Sequence, residues 1–181
     1  ELAMKVAKER NGTIILDIAY DGYEEIPTWV CQGYCLLAEE ACNQMQGPPT
    51  HVFLQVGVGS FATSVAGYMI NRYPENPPKF ISIEPYEAAC AFKSGVEGKF
   101  TTVGGDMPTM MAGLACGVPS TLAYPILRDH FTAYTMMSEE CSANGMRLLR
   151  ECGVESGECG ASGYGLLHHL SQGSEKAKEF C

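Results

Sequence analysis

The sequence predicts an α/β protein of three layers, a mostly parallel sheet with helices on both faces. Three observations carry that prediction. Short apolar runs alternate along the chain with longer segments of helical periodicity. The run HVFLQV at 51–56 is apolar almost throughout instead of alternating, as in a strand buried on both sides. Glycine, proline and asparagine punctuate the junctions between these segments. Strands alternating with helices bury their apolar faces best as a parallel sheet covered above and below.

Taken in order, residues 1–10 read as the tail of a helix, closed by Asn11-Gly12, a helix-stop signal. The β-branched run at 13–16 is expected as a short buried strand, followed by a polar loop over 17–25. Pro27 belongs near a helix start, and Trp29, Leu36 and Leu37 continue an apolar stripe to about residue 46. Gly47-Pro48-Pro49 ends it before the second strand, 51–56. Gly57, Val58, Gly59 and Ser60 lead directly into an apolar helix over 61–73. After the turn Asn76-Pro77-Pro78 comes a strand at 79–84 and a helix over 86–93. Further helices are expected at 108–116, 121–130, 138–150 and 159–170, with a strand near 132–136.

At 181 residues the chain suits one ordinary domain, and 46% hydrophobic with 18% charged residues is a globular composition. A net charge of −9 argues against a nucleic-acid partner, which requires lysine and arginine in excess. A small anion can still bind, because helix N-termini supply local positive potential. No apolar stretch reaches the roughly 18–20 residues of a membrane span. The charged, amphipathic start lacks the apolar block of a signal peptide, so a cytoplasmic location with reduced thiols is expected. Nine cysteines without a CxxC pair read as small core residues, Cys31 and Cys35 sharing one helical face. His168 and His169 are adjacent, about 100° apart on a helix. No metal site is expected. The chain starts at Glu1 inside a helix and ends at Cys181 just after another, which is expected of a piece of a longer polypeptide.

The main local signal is strand, then Gly57-Val58-Gly59-Ser60, then helix. Glycines let backbone approach a ligand, and the helix offers free N–H groups to a phosphate. A tight turn without a ligand would look the same. The spacing is neither a P-loop nor GxGxxG. Asp17 follows an apolar run at the carboxyl end of a strand, where open parallel sheets place their ligands. It can serve as a proton donor and acceptor or simply cap the next turn. Glu84 ends another strand at the same edge, with the same two readings. Asp106 or Thr109 can cap the helix expected at 108–116, and Glu158 can be a first-turn helix acid.

Five stretches together resemble diaminopropionate ammonia-lyase, a pyridoxal 5′-phosphate (PLP) enzyme of the tryptophan-synthase-like fold type II. They are 17–33 (DIAYDGYEEIPTWVCQG), 50–68 (THVFLQVGVGSFATSVAGY), 83–94 (IEPYEAACAFKS), 103–119 (VGGDMPTMMAGLACGVP) and 156–165 (SGECGASGYG). The resemblance implies PLP as cofactor, its phosphate held by Gly57, Val58, Gly59 and Ser60. It makes Asp17 the candidate acid–base near a substrate α-carbon or leaving amine. Asp106, Met107 and Thr109 fall near the pocket of a small amino-acid substrate, and Glu158 near the cofactor. The implied reaction is elimination from 2,3-diaminopropionate to pyruvate and ammonia, in a homodimer. Residues 1–12 would close a small-domain helix and 13–181 would form the central part of the PLP-binding large domain.

Several family features are missing from this sequence. Nothing matches the KDES…FGLNAFK-type segment that carries the cofactor-bearing lysine, and Lys93 and Lys99 lie in a different segment. The TTDGNHG-type and STEGDT-type loops are also missing. Between Arg147 and Ser156 the chain is shorter than the family pattern, and Cys159 stands where a serine is usual. The chain by itself is therefore expected to be inactive. Other readings are a serine or threonine dehydratase of the same fold type, a non-catalytic module that binds a phosphorylated ligand or a partner, and a nucleotide-binding domain. The last lacks a suitable acidic ribose ligand.

Overall fold

Three parallel strands form the centre of the molecule, in the order β1 (His51–Gln55), β2 (Lys79–Pro85), β3 (Phe131–Met137). The computed structural model describes residues 2–173; Glu1 and residues 174–181, Cys181 included, lie outside the described residues. His51 pairs with Lys79 and Gln55 with Ile83, while β3 joins β2 with a register irregularity between Phe80 and Ile81.

Successive side chains of a strand point to opposite faces, so each strand feeds two cores. On one face Leu54, Val56 and Phe80 pack with α2 (Glu25–Gln44), α3 (Ser60–Arg72) and α5 (Ala123–His130). On the other, Ile83 and Met137 pack with Leu166 of α7 (Glu158–Gln172), with Phe53 and Cys141 of α6 (Glu139–Glu151) against them. Each fully buried aliphatic or aromatic side chain contributes roughly 1.5–3 kcal/mol. That exceeds the few tenths by which most helix propensities differ, so double burial selects the layered arrangement. The sheet with helices on both faces is the architecture expected from the sequence.

Local chemistry sets the element ends. Ser138 caps α6 by accepting the Cys141 N–H at 3.4 Å, with Glu139 and Glu140 in the first turn and Arg150 in the last. Helices α6 and α7 touch through glycine: a Cβ at Gly145 would lie 2.4 Å from the Ala161 carbonyl oxygen, and one at Gly165 2.2 Å from that of Cys141. Cys42 and Cys90 are buried, and the Cys31 and Cys35 thiols point at the Ser60 and Ser64 carbonyls of α3.

Two expected elements are absent. Residues 13–16, expected as a strand, have no ladder partner among the described residues. Tyr23 satisfies this backbone instead, its hydroxyl donating to the Ile14 carbonyl at 2.7 Å and accepting the Leu16 N–H at 3.1 Å. Residues 108–116, expected as a helix, form a loop with one 3-10 turn at Ala112–Leu114. The backbone leaves the helical region at Met111, with ψ 60°, and again at Ala115, with ψ 64°, while Thr109 Oγ1 accepts from the Met111 N–H and the Glu139 carboxylate from that of Met110. Asp106 and Thr109 therefore do not cap a helix there. The helix expected over 86–93 is a 3-10 turn, Tyr86–Ala88, followed by α4 (Cys90–Glu97). An eight-residue α1 (Leu2–Glu9) precedes the Asp17 loop. No helix among the described residues is long and apolar enough to cross a membrane.

Candidate functional site

The glycine loop joins the carboxyl end of β1 to the head of α3, and its geometry depends on glycine. Gly59 has φ +98°, and a Cβ there would lie 2.9 Å from Ala123 Cβ and 3.1 Å from Leu127 Cδ1. A Cβ at Gly57 would lie 3.1 Å from the Gly113 carbonyl oxygen and 3.2 Å from Cys116 Sγ. The loop is thus seated against α5 on one side and the 112–116 turn on the other, with no room for side chains. No side chain caps α3. The N–H groups of Gly57, Gly59, Ser60, Phe61 and Ala62 have no protein acceptor among the described residues. Free N–H groups at the positive end of a helix make an anion cradle.

A cavity of about 200 Å³ opens at this cradle, lined by Gly57, Val58, Gly59 and Ser60 together with Asp17, Tyr34, Gln55, Gly113 and Leu114. The structure thus brings Asp17 to the glycine loop, 40 residues further along the chain. Ser60 Oγ donates to the Asp17 carbonyl at 2.5 Å. The Ser60 side chain therefore holds the Asp17 loop, and only its N–H is free for an anion. Open clefts of about 480 Å³ beside α6 and 440 Å³ between α2 and α3 are larger. The smaller cavity is singled out by its free donors and its carboxylate, not by size.

The other candidate residues stand apart from this cavity. Asp106 is exposed, and Met107, half-buried, is held at φ 46°, a left-handed conformation uncommon outside glycine. Thr109 is spent on the Met111 N–H, and the same loop reaches the cavity only further on, at Gly113 and Leu114. Glu158 heads α7 as a first-turn acid, and its carbonyl accepts the Ser142 hydroxyl at 2.5 Å. Its neighbour Cys159 borders Gly113, whose added Cβ would lie 3.3 Å from the sulfur.

Two residues at the site, Gln55 and Tyr34, were missed as functional groups, whereas Glu84 reads in the sequence as a strand-end acid or a cap. Gln55 is the last residue of β1, and its place at the carboxyl end of a parallel strand was a usable signal. Tyr34 had no local signal: it reaches the cavity because α2 packs on α3, its ring edge-on to Phe61 at 5.5 Å. Burial first, then the Asp17 carboxylate, raises the Tyr34 phenol above its ordinary pKa. Glu84 is fully buried and caps α4, accepting the N–H groups of Ala91 at 2.8 Å and Phe92 at 2.6 Å. Loss of water outweighs those bonds and lifts its carboxyl to about 7. Beside it, burial and then the Glu84 carboxylate push the Cys90 thiol up to about 12, and this thiol points at the Gly57 carbonyl at 3.5 Å.

A phosphate fits the residues present. Glycines at which a Cβ would crowd its neighbours hold free N–H groups over a cavity, and neighbouring polar side chains can meet the body of a phosphorylated ligand. The sequence is 44% identical over 181 residues to a diaminopropionate ammonia-lyase of Salmonella typhimurium, covering 93% of this chain and 45% of that protein. The crystal structure of selenomethionine-containing holo diaminopropionate ammonia-lyase from Escherichia coli superposes with a TM-score of 0.88 at 39% identity, over 97% of this chain and 45% of that one. The same enzyme in complex with an aminoacrylate–PLP azomethine reaction intermediate superposes at 0.83 with 40% identity, over 93% and 45%. The chain thus spans less than half the length of these relatives. The family model for pyridoxal-phosphate-dependent enzymes matches residues 1–179, and with a glycine cradle suited to that phosphate the chain belongs to this family.

Proposed function

We propose that this chain is the glycine-loop portion of a PLP-dependent ammonia-lyase that converts 2,3-diaminopropionate and water into pyruvate and ammonia. The observation that carries the reading is the cavity shared by the free N–H groups of the glycine loop and the Asp17 side chain. The similarity to diaminopropionate ammonia-lyases supports the choice of substrate.

In this reading the loop Gly57, Val58, Gly59 and Ser60 holds the cofactor phosphate, the free N–H groups of Gly57, Gly59 and Ser60 donating and the α3 dipole aiding them. When bound, PLP supplies the electron-withdrawing ring that makes loss of an α-proton feasible. The Asp17 carboxylate moves a proton at the α-carbon or at the departing β-amine. Tyr34 and Gln55 offer hydrogen bonds to the bound molecule, and the Tyr34 ring keeps water from one side. The loop with Asp106, Met107 and Thr109 borders the small amino-acid substrate, and Glu158 stands near the cofactor. Residues 1–12 close a small-domain helix and 13–181 belong to the large domain. A lysine-bearing segment of the family type completes the site, and the working protein is a cytoplasmic homodimer.

Titrating the chain with PLP, and separately with PLP in excess inorganic phosphate, tests the reading. Binding of PLP that phosphate competes away and that Gly59→Ala weakens at least tenfold is expected. Binding indifferent to both would sink the assignment of the loop. With 2,3-diaminopropionate, no pyruvate is expected from the chain alone, and a measured turnover would show that a lysine within it suffices.

A further inference from the structure

Ser120, in the turn that enters α5, is completely buried, and its N–H, carbonyl and hydroxyl oxygen all take part in hydrogen bonds. Its N–H donates to the Val58 carbonyl at 2.7 Å, tying down the glycine loop. Its Oγ accepts the Ala19 N–H at 2.9 Å, a buried bond across 101 positions of sequence. Next to it, the Thr121 N–H donates to the Ala19 carbonyl at 3.1 Å. The Ser120 carbonyl accepts the N–H groups of Ala123 and Tyr124, which roots Ser120 in α5. That helix in turn bears on Gly59 through Ala123 and Leu127.

Asp17 lies in a stretch with no strand ladder or helix to fix it. Its place therefore depends on side-chain and loop tethers: the Tyr23 hydroxyl on Leu16 just before it, Ser60 Oγ on its own carbonyl, and the Ser120–Thr121 pair on Ala19 two residues later. We propose that Ser120 is the positioning residue that sets where the Asp17 carboxylate stands over the glycine loop. The proposal rests on the reading of Asp17 and the glycine loop as one site. Removing the Ser120 hydroxyl leaves the Ala19 N–H buried without an acceptor, whereas the bond from the Ser120 N–H to Val58 is backbone and persists. Loss of the hydroxyl therefore slackens the Asp17 arm and leaves the anion cradle in place. Ser60 cannot be dissected this way, because its N–H belongs to the cradle.

The test uses the 181-residue chain as wild type, Ser120→Ala and Ser120→Thr, the last retaining the acceptor oxygen. Inorganic phosphate is the probe for the cradle, titrated calorimetrically. The Asp17 carboxyl resonance, assigned with Asp17→Asn, and hydrogen exchange at the Ala19 amide report on the arm. In Ser120→Ala, phosphate affinity is expected within about twofold of wild type, with the Asp17 resonance displaced and Ala19 exchanging roughly fivefold to tenfold faster. Ser120→Thr is expected to restore both. An unmoved Asp17 resonance and Ala19 exchange rate would overturn the proposal. So would a parallel fall in phosphate affinity, which would make Ser120 a support of the loop instead. If wild type binds no phosphate, the functional reading of the cradle fails, while the Asp17 and Ala19 readouts still decide the role of Ser120. If circular dichroism shows Ser120→Ala unfolded, Ser120→Cys, of similar shape and weaker as an acceptor, is judged by the same readouts.

Discussion

Ser60 Oγ donates a hydrogen bond to the carbonyl of Asp17 at 2.5 Å, joining the first residue of α3 to a loop 43 positions earlier. This bond makes the candidate acid–base and the anion cradle one unit. A single neutral hydrogen bond of this kind contributes about 1 kcal/mol. Ser60→Ala is expected to lower the unfolding free energy by about that much, read as a lower urea midpoint at unchanged slope, and an unaltered midpoint would show that the bond contributes nothing net.

Gly59→Ala is expected to destabilise the chain by about 2–4 kcal/mol, since φ +98° disfavours any L side chain and the new methyl would press on Ala123 and Leu127. Thermal unfolding followed by circular dichroism checks it. A melting temperature equal to wild type would mean that the loop relaxes freely.

Glu84 makes stability depend on pH in a defined direction. Burial raises its carboxyl from the ordinary 4.5 to about 7 in the folded chain. Between those values the folded chain holds a proton that the unfolded chain has lost. Its contribution is therefore fully present below pH 4.5 and lost as pH rises through about 7, a change of about 3 kcal/mol. Glu84→Gln, which keeps an acceptor for Ala91 or Phe92, is expected to flatten stability measured by urea unfolding across that window. Parallel profiles for variant and wild type would refute the shift.

Gly145→Ala places a methyl group against the Ala161 carbonyl and backbone of Gly165, where α6 and α7 are in direct contact. Parting the helices is expected to cost about 1–3 kcal/mol, read from chemical denaturation. Gly163→Ala serves as the control, its nearest neighbour lying 3.6 Å away.

Much of the fold was legible because local patterns and burial agreed. The run HVFLQV is apolar nearly throughout, and β1 sits in the sheet with both faces covered. The glycine loop was visible because two glycines between a strand and a helix have a local meaning, and the positive φ of Gly59 shows one of them in use. The segment at 108–116 misled, because its apolar residues suit a helix whereas its backbone turns out of the helical region at Met111 and Ala115. Residues 13–16 misled for a related reason: β-branched residues favour an extended chain, but a strand also needs a neighbour to pair with.

The sequence by itself determined the alternation of strands and helices, the glycine turn between β1 and α3 and the presence of a carboxylate at Asp17. These follow from side-chain size, φ preference and charge, which act within a few residues. Only the tertiary structure decided that Asp17, Tyr34 and Gln55 share one cavity with the glycine loop. It alone placed Asp106, Met107, Thr109 and Glu158 outside that cavity, and made Ser60 and Ser120 tethers of the Asp17 loop. The physical reason is that hydrogen bonds spanning 43 and 101 positions depend on how helices dock on a sheet, and docking is set by the whole core at once.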